Sequence, residues 1–111
     1  MLLSIRERLM LMQVLPTEGD FTTLKLVREM REGLSFDEEE HAKAHFVVDG
    51  EGGRITWDPE IQFDKELDFG PRATVVVLDA LEKLDRAGQL RLEALELCDK
   101  FGYEGYDETR R

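Results

Sequence analysis

Ser35-Phe36-Asp37-Glu38-Glu39-Glu40-His41-Ala42-Lys43-Ala44-His45-Phe46-Val47-Val48 is the stretch on which the fold turns. Ser35 with Glu38 three residues later has the form of a capping box, and acids suit a first helical turn because the helix dipole favours anions there. A short third helix is therefore expected to reach Ala44. Four consecutive acids, Asp37 to Glu40, cannot share one helix face, so at least two must point to water. From Phe46 the pattern changes. Phe46-Val47-Val48 and Arg54-Ile55-Thr56-Trp57 flank Asp49-Gly50-Glu51-Gly52-Gly53, and β-branched or aromatic residues around a glycine-rich turn predict a β-hairpin. Asp58-Pro59 should close its second strand.

Downstream, Ile61, Phe63, Lys65, Leu67 and Phe69 recur at period two. This spacing predicts an extended segment, a third strand, with Asp64, Glu66 and Asp68 on its wet side. Gly70-Pro71 opens the strongest helix, since proline suits the first helical position. Ala73, Val77, Ala80, Leu81 and Leu84 form its buried stripe, Val75, Val76 and Leu78 widen it, and Gly88 is expected to cap its end. A last helix, about residues 90–101, carries Leu92, Leu95, Cys98 and Phe101.

Upstream, Ser4-Ile5-Arg6-Glu7 is another capping box, and a helix should run from Ile5 to Val14, where Leu15-Pro16 ends it. Ile5, Leu9 and Met12 share a face, and Met10 and Leu11 broaden it. That helix is central or packs on a second copy. Asp20 is the expected N-cap of a second helix, Phe21 to Glu32, with Leu24, Val27 and Met30 inward, Gly33 at its C-terminus and Leu34 packing back. The expected fold is α+β: about five helices with a small antiparallel β-hairpin or three-stranded sheet in the middle of the chain. One domain spanning residues 1–111, ending in a tail at 102–111, suits this length.

Charge is distributed unevenly. Residues 37–68 hold eleven Asp and Glu against three Lys and Arg, a balance of −8 in a chain of net −10. Such a stretch does not dock on a phosphate backbone, which needs cations to displace counterions. It suits a basic protein surface, or imitates nucleic acid to a protein that binds it. Asp37, Glu38, Glu39, Glu40, Asp64, Glu66 and Asp68 are the candidate partner-binding residues, with Trp57 as an aromatic anchor if it is exposed. Cys98 is the sole cysteine, which excludes an internal disulfide and multi-cysteine zinc sites and suits a reducing, cytoplasmic setting. No apolar run is long enough to span a bilayer, and Met1-Leu2-Leu3-Ser4-Ile5-Arg6 lacks the build of a signal peptide.

No catalytic motif or cofactor is expected. Glu38, His41 and His45 lie at helical spacings of three and four, but Glu does not directly follow the first His as in a metalloprotease helix, so no metal is expected there. The Asp49–Thr56 loop has Arg54 where a calcium loop needs glycine, and it lacks the Gly-Lys-Ser/Thr ending of a phosphate loop. Cys98 sits on an apolar stripe as a small hydrophobe. Tyr103 and Tyr106 either pin the tail or await a partner. Arg28, Arg31, Arg72, Arg86 and Arg91 would bind an anion only if the fold gathers them.

The runs Leu3-Ser4-Ile5-Arg6-Glu7-Arg8 and Leu15-Pro16-Thr17-Glu18-Gly19-Asp20-Phe21-Thr22-Thr23-Leu24-Lys25, with Ile55-Thr56-Trp57 and Ala80-Leu81-Glu82-Lys83-Leu84-Asp85, resemble small uncharacterised acidic proteins of bacteriophages and prophages. The resemblance implies a phage protein in the host cytoplasm and no particular mechanism. Small phage proteins of this kind often bind and block a host protein. The leading expectation is thus a non-enzymatic acidic binding protein that engages a basic surface of a host defence or transcription protein. The alternatives are a structural or assembly protein forming a homodimer or higher oligomer, and an oligomer that sequesters a small anionic ligand.

Overall fold

The computed structural model describes residues 1–48, 55–58 and 60–105. Its elements run β1 (Leu2–Ser4), α1 (Ile5–Val14), α2 (Phe21–Leu34), α3 (Glu38–Ala44), β2 (Val47–Val48), β3 (Ile55–Thr56), β4 (Asp64–Glu66), α4 (Pro71–Arg86), a 3₁₀ turn (Leu92–Ala94) and α5 (Leu95–Phe101). The class is α+β, with five helices and two small antiparallel pairs of strands.

Helix α1 starts where its cap dictates. Ser4 Oγ accepts from the Glu7 N–H at 3.2 Å, and Glu7 Oε1 accepts from the Ser4 N–H at 2.9 Å. The helix is central, touching α2, α4 and α5. Its buried side is Ile5, Glu7, Arg8 and Leu11, so two charged residues go inward while Leu9 and Met12 are only half-buried. Around it Leu3, Leu11 and Leu15 pack with Val27, Met30 and Leu34 of α2, Val77 and Leu81 of α4, and Leu97 and Phe101 of α5.

Helix α2 opens on Asp20, whose Oδ1 accepts from the Thr23 N–H at 2.7 Å. It does not stop at Gly33. Leu34 is the last helical residue and is fully buried, and burial of that leucine outweighs the modest helical cost of the glycine. Ser35 is consequently the C-cap of α2, its N–H bonded to the Arg31 carbonyl at 3.0 Å. The N-cap of α3 passes to Asp37, which forms the capping box with Glu40 in place of Ser35 with Glu38. Phe36, just before the cap, meets His41 in the second turn edge-on at 6.3 Å, a staple across the start of α3.

Strands β2 and β3 pair as expected, Val47 opposite Thr56 and Val48 opposite Ile55. The intervening turn, Asp49–Gly53, and Pro59 lie outside the described residues. Strand β4 does not extend this hairpin. It pairs with β1, Leu3 opposite Lys65 and Ser4 opposite Asp64, and the Leu67 N–H continues the ladder to the Met1 carbonyl at 2.9 Å. This register sends Leu3 into the core while Asp64 and Glu66 face water. At the far end, Gly88 and Gly102 adopt φ of 67° and 75° after α4 and α5. The Gln89 and Tyr103 N–H groups return to the Leu84 and Cys98 carbonyls at 2.8 Å, closing both helices with Schellman turns.

Candidate functional site

The acidic run is built over a buried cation. Arg8 is fully buried on α1. Its Nε donates to the Leu34 carbonyl at 3.1 Å and its Nη2 to the Ser35 carbonyl at 2.7 Å, which satisfies the C-terminus of α2. Nη1 and Nη2 reach Glu40 Oε2 and Oε1 at 2.5 and 3.2 Å. The guanidinium also lies 3.8 Å over the Phe36 ring. One side chain thus joins α1, the end of α2 and the start of α3. Arginine suits this place because its planar fork donates in several fixed directions and stays charged.

Glu40 is the partner that makes Arg8 tolerable. The hydrogen bond from Arg8 holds its carboxyl below the ordinary glutamate value. Partial burial opposes this, while the Asp37 N–H and the charges of Arg8 and Lys65 assist. Lys65 itself turns inward and donates to the Gly33 carbonyl at 3.2 Å.

The candidate residues therefore divide. Glu40 is turned in, and Asp37 caps the helix while staying exposed. Glu38 and Glu39 stand free in water, Glu39 with only a loose 3.5 Å pairing to Lys43. Asp64 and Glu66 project outward from β4 on either side of Lys65, and Glu66 also meets the Met1 amine. Asp68 is exposed further along and lines a cleft between α2 and α4.

Trp57 is half-buried, outside the main core. It belongs to an aromatic shelf behind α3. Its ring is 6.3 Å from Phe46, Phe46 is 4.7 Å from Phe36, and Phe36 is 6.5 Å from Phe63. His41 leans edge-on against Phe46 at 5.3 Å. His45 is the C-cap of α3 at φ 54°, pointing the chain into β2. Glu38, His41 and His45 do not gather, and no cluster able to hold a metal occurs among the described residues.

A second charged contact lies beside the first on α1, at the neighbouring residue Glu7. Burial pushes the Glu7 carboxyl pKa up, but hydrogen bonds from Lys100 and Ser4 outweigh it and leave the group below its ordinary value. Lys100 Nζ is 2.7 Å from Glu7 Oε1 and 2.6 Å from the Leu2 carbonyl. Cys98 is buried in the core, where desolvation and the nearby Asp99 and Asp85 raise its thiol pKa. This disfavours the nucleophilic thiolate. Tyr103 donates to Asp85 Oδ2 at 2.5 Å, securing the start of the tail on α4, while Tyr106 lies outside the described residues.

Of the arginines considered for an anion site, Arg31 donates to the Met12 carbonyl at 2.9 Å and Arg86 pairs with Glu82 at 3.5 Å. Arg28 and Arg91 are exposed. Arg72 lies between two open clefts beside α4, of about 570 and 610 Å³, which share Leu26 as well.

Arg8 is the site residue that sequence reasoning missed. Its signal was its place: Ile5, Arg8, Leu11 and Leu15 follow the three- and four-residue spacing of a buried stripe, so the arginine sits where a core residue belongs. Among the described residues no helix is long and apolar enough to cross a membrane. No family model, curated protein or solved structure matches this chain.

Proposed function

We propose that this chain is a non-enzymatic binding protein that uses the acidic start of α3 and the outer edge of β4 to engage a basic surface on another protein. The observation that supports this is the rigid seating of exposed carboxylates. Glu38 and Glu39 rise from a short helix whose first turn is held by the Asp37–Glu40 box and by Arg8 below. A seven-residue helix is marginal alone, and the buried ion pair keeps it formed, so less ordering entropy is lost on binding. Trp57 and Phe63, both half-buried and set edge-on against Phe46 and Phe36 respectively, offer the apolar contact that such an interface needs. The local balance of −8 would speed encounter with a cationic partner and weaken with salt. In the phage setting suggested by the sequence resemblance, a host defence or transcription protein in the cytoplasm is the kind of target that fits.

The test is capture from host extract at low and high salt, comparing the wild-type chain with the variant Glu38→Lys, Glu39→Lys, Asp64→Lys. These side chains are exposed, so the fold should survive. A basic protein retained by the wild type, released by salt and lost by the variant is the expected result. Equal retention by both chains would rule the reading out.

A further inference from the structure

The outward face of α4 is unlike the acidic middle of the chain. Arg72, Val75, Asp79 and Lys83 lie on it at helical spacing, all exposed. Val75 is 54% exposed at its centre, beside half-buried Val76 and ahead of fully buried Val77. The helix carries Arg72, Lys83 and Arg86 against Asp79, Glu82 and Asp85, so it is neutral in a chain of net −10. Glu82 and Arg86 pair within the helix at 3.5 Å, whereas no ion pair among the described residues engages Arg72, Asp79 or Lys83. Two copies with this net charge repel each other over most of their surfaces. On a neutral helix with an uncovered valine that repulsion is weak and apolar surface remains to be buried.

We propose that a second copy of this chain docks on α4, the two helices antiparallel about a two-fold axis at Val75–Val76. The charges along α4 select this register. An antiparallel two-fold pairing centred between residues 75 and 76 sets residue 72 of each copy opposite residue 79 of the other. Each Arg72 then faces an Asp79, on both flanks of a Val75–Val76 contact. Centring the pair one turn later, on Asp79, would instead set Asp79 against Asp79 and Val75 against Lys83. A two-fold interface must be complementary to itself, and of these two registers only the first is. Centring on residue 81 would pair Asp79 with Lys83 but set Val76 against Arg86, so only the first register joins opposite charges around a valine contact. Helices packed at the usual 8–10 Å would lodge partner side chains in the clefts that flank α4, whose walls include Leu26 and Val76. The face is separate from the acidic start of α3, so this inference stands or falls apart from the proposed function.

Sedimentation velocity of the full chain from about 1 to 100 µM tests it, a range that brackets an ordinary weak dimer. A concentration-dependent monomer–dimer equilibrium is expected. Val75→Asp should abolish it, and Arg72→Asp or Asp79→Arg alone should each weaken it about tenfold or more, because like charges then meet across the axis. The double variant Arg72→Asp, Asp79→Arg should restore dimerisation to within a few-fold of wild type. Should Val75→Asp lose its helical circular dichroism, the charge pair decides alone. A strict monomer at the top of this range overturns the proposal and leaves the face to another occupant. So does a dimer indifferent to Val75→Asp in folded protein, or a double variant no better than either single one.

Discussion

Arg8 and Glu40, 32 positions apart in sequence, meet in a two-pronged ion pair beneath the acidic run of α3. The pair works because each partner has further hydrogen bonds: Arg8 serves the Leu34 and Ser35 carbonyls, and Glu40 accepts from the Asp37 N–H at 3.1 Å. A buried charge is costly when any of these is missing, and neutral or favourable when all are present.

Arg8→Met should therefore be severe. It strands Glu40 and two helix-end carbonyls, and a loss of about 3–5 kcal/mol is expected from breaking a buried pair. Arg8→Lys should rescue only partly, since a single ammonium cannot reach all four oxygens in the plane of the fork. Urea unfolding followed by the fluorescence of Trp57 measures both. An Arg8→Met variant within about 1 kcal/mol of wild type would contradict this account of the ion pair.

The two lowered glutamate pKa values fix the sign of the acid response. Glu7 and Glu40 ionise below their ordinary 4.5 in the folded chain. Their contribution is present above that value and is lost as pH falls through the folded-state pKa values. Stability should drop steeply below about pH 4.5, and the variant Glu7→Gln, Glu40→Gln should be weaker at neutral pH with a flatter acid slope. Thermal melts from neutral pH down to acid compare the two slopes, and identical slopes would refute the assignment.

Helix ends offer a contrasting pair of substitutions. Gly102 has φ 75° with open space around it, so Gly102→Ala meets no clash and pays only for the left-handed backbone, about 1 kcal/mol. Gly70 caps α4 at φ −68° without a side-chain hydrogen bond. Gly70→Ser supplies that bond and should stabilise by a few tenths of a kcal/mol, up to about 1. Denaturant midpoints of the two variants should move in opposite directions.

Tyr103→Phe removes the hydroxyl that reaches Asp85, and a loss of about 1 to 2 kcal/mol is expected for a part-buried bond to a charged acceptor. Burial and the Asp85 carboxylate raise the phenol pKa above 10. The bond's contribution is therefore present below pH 10 and lost as pH rises through the higher folded value. Hydrogen exchange in α5 and the residues after it should quicken in the variant, while exchange in α3 should not change. Equal quickening in α3 would mean that Tyr103 stabilises the whole core and not this end of the chain.

What the sequence determined by itself is local. Ser4 with Glu7, Asp20, Pro71 and Gly88 act within a turn or two of their own positions, and a helix boundary needs nothing further away. The alternation from Ile61 to Phe69 likewise marked an extended segment without help from the rest of the chain. Only the tertiary structure decided which strand β4 joins, because Leu2-Leu3-Ser4 carries no turn or repeat that marks it as a partner. The tertiary structure also decided where α2 ends, since the drive to bury Leu34 outweighs the stop signal at Gly33 and moves the cap of α3 to Asp37. The acidic run was visible as composition, but the division of its members was not. Glu40 turns inward and Glu38 and Glu39 outward because Arg8, buried on a distant helix, supplies a charge that only the folded chain brings within reach.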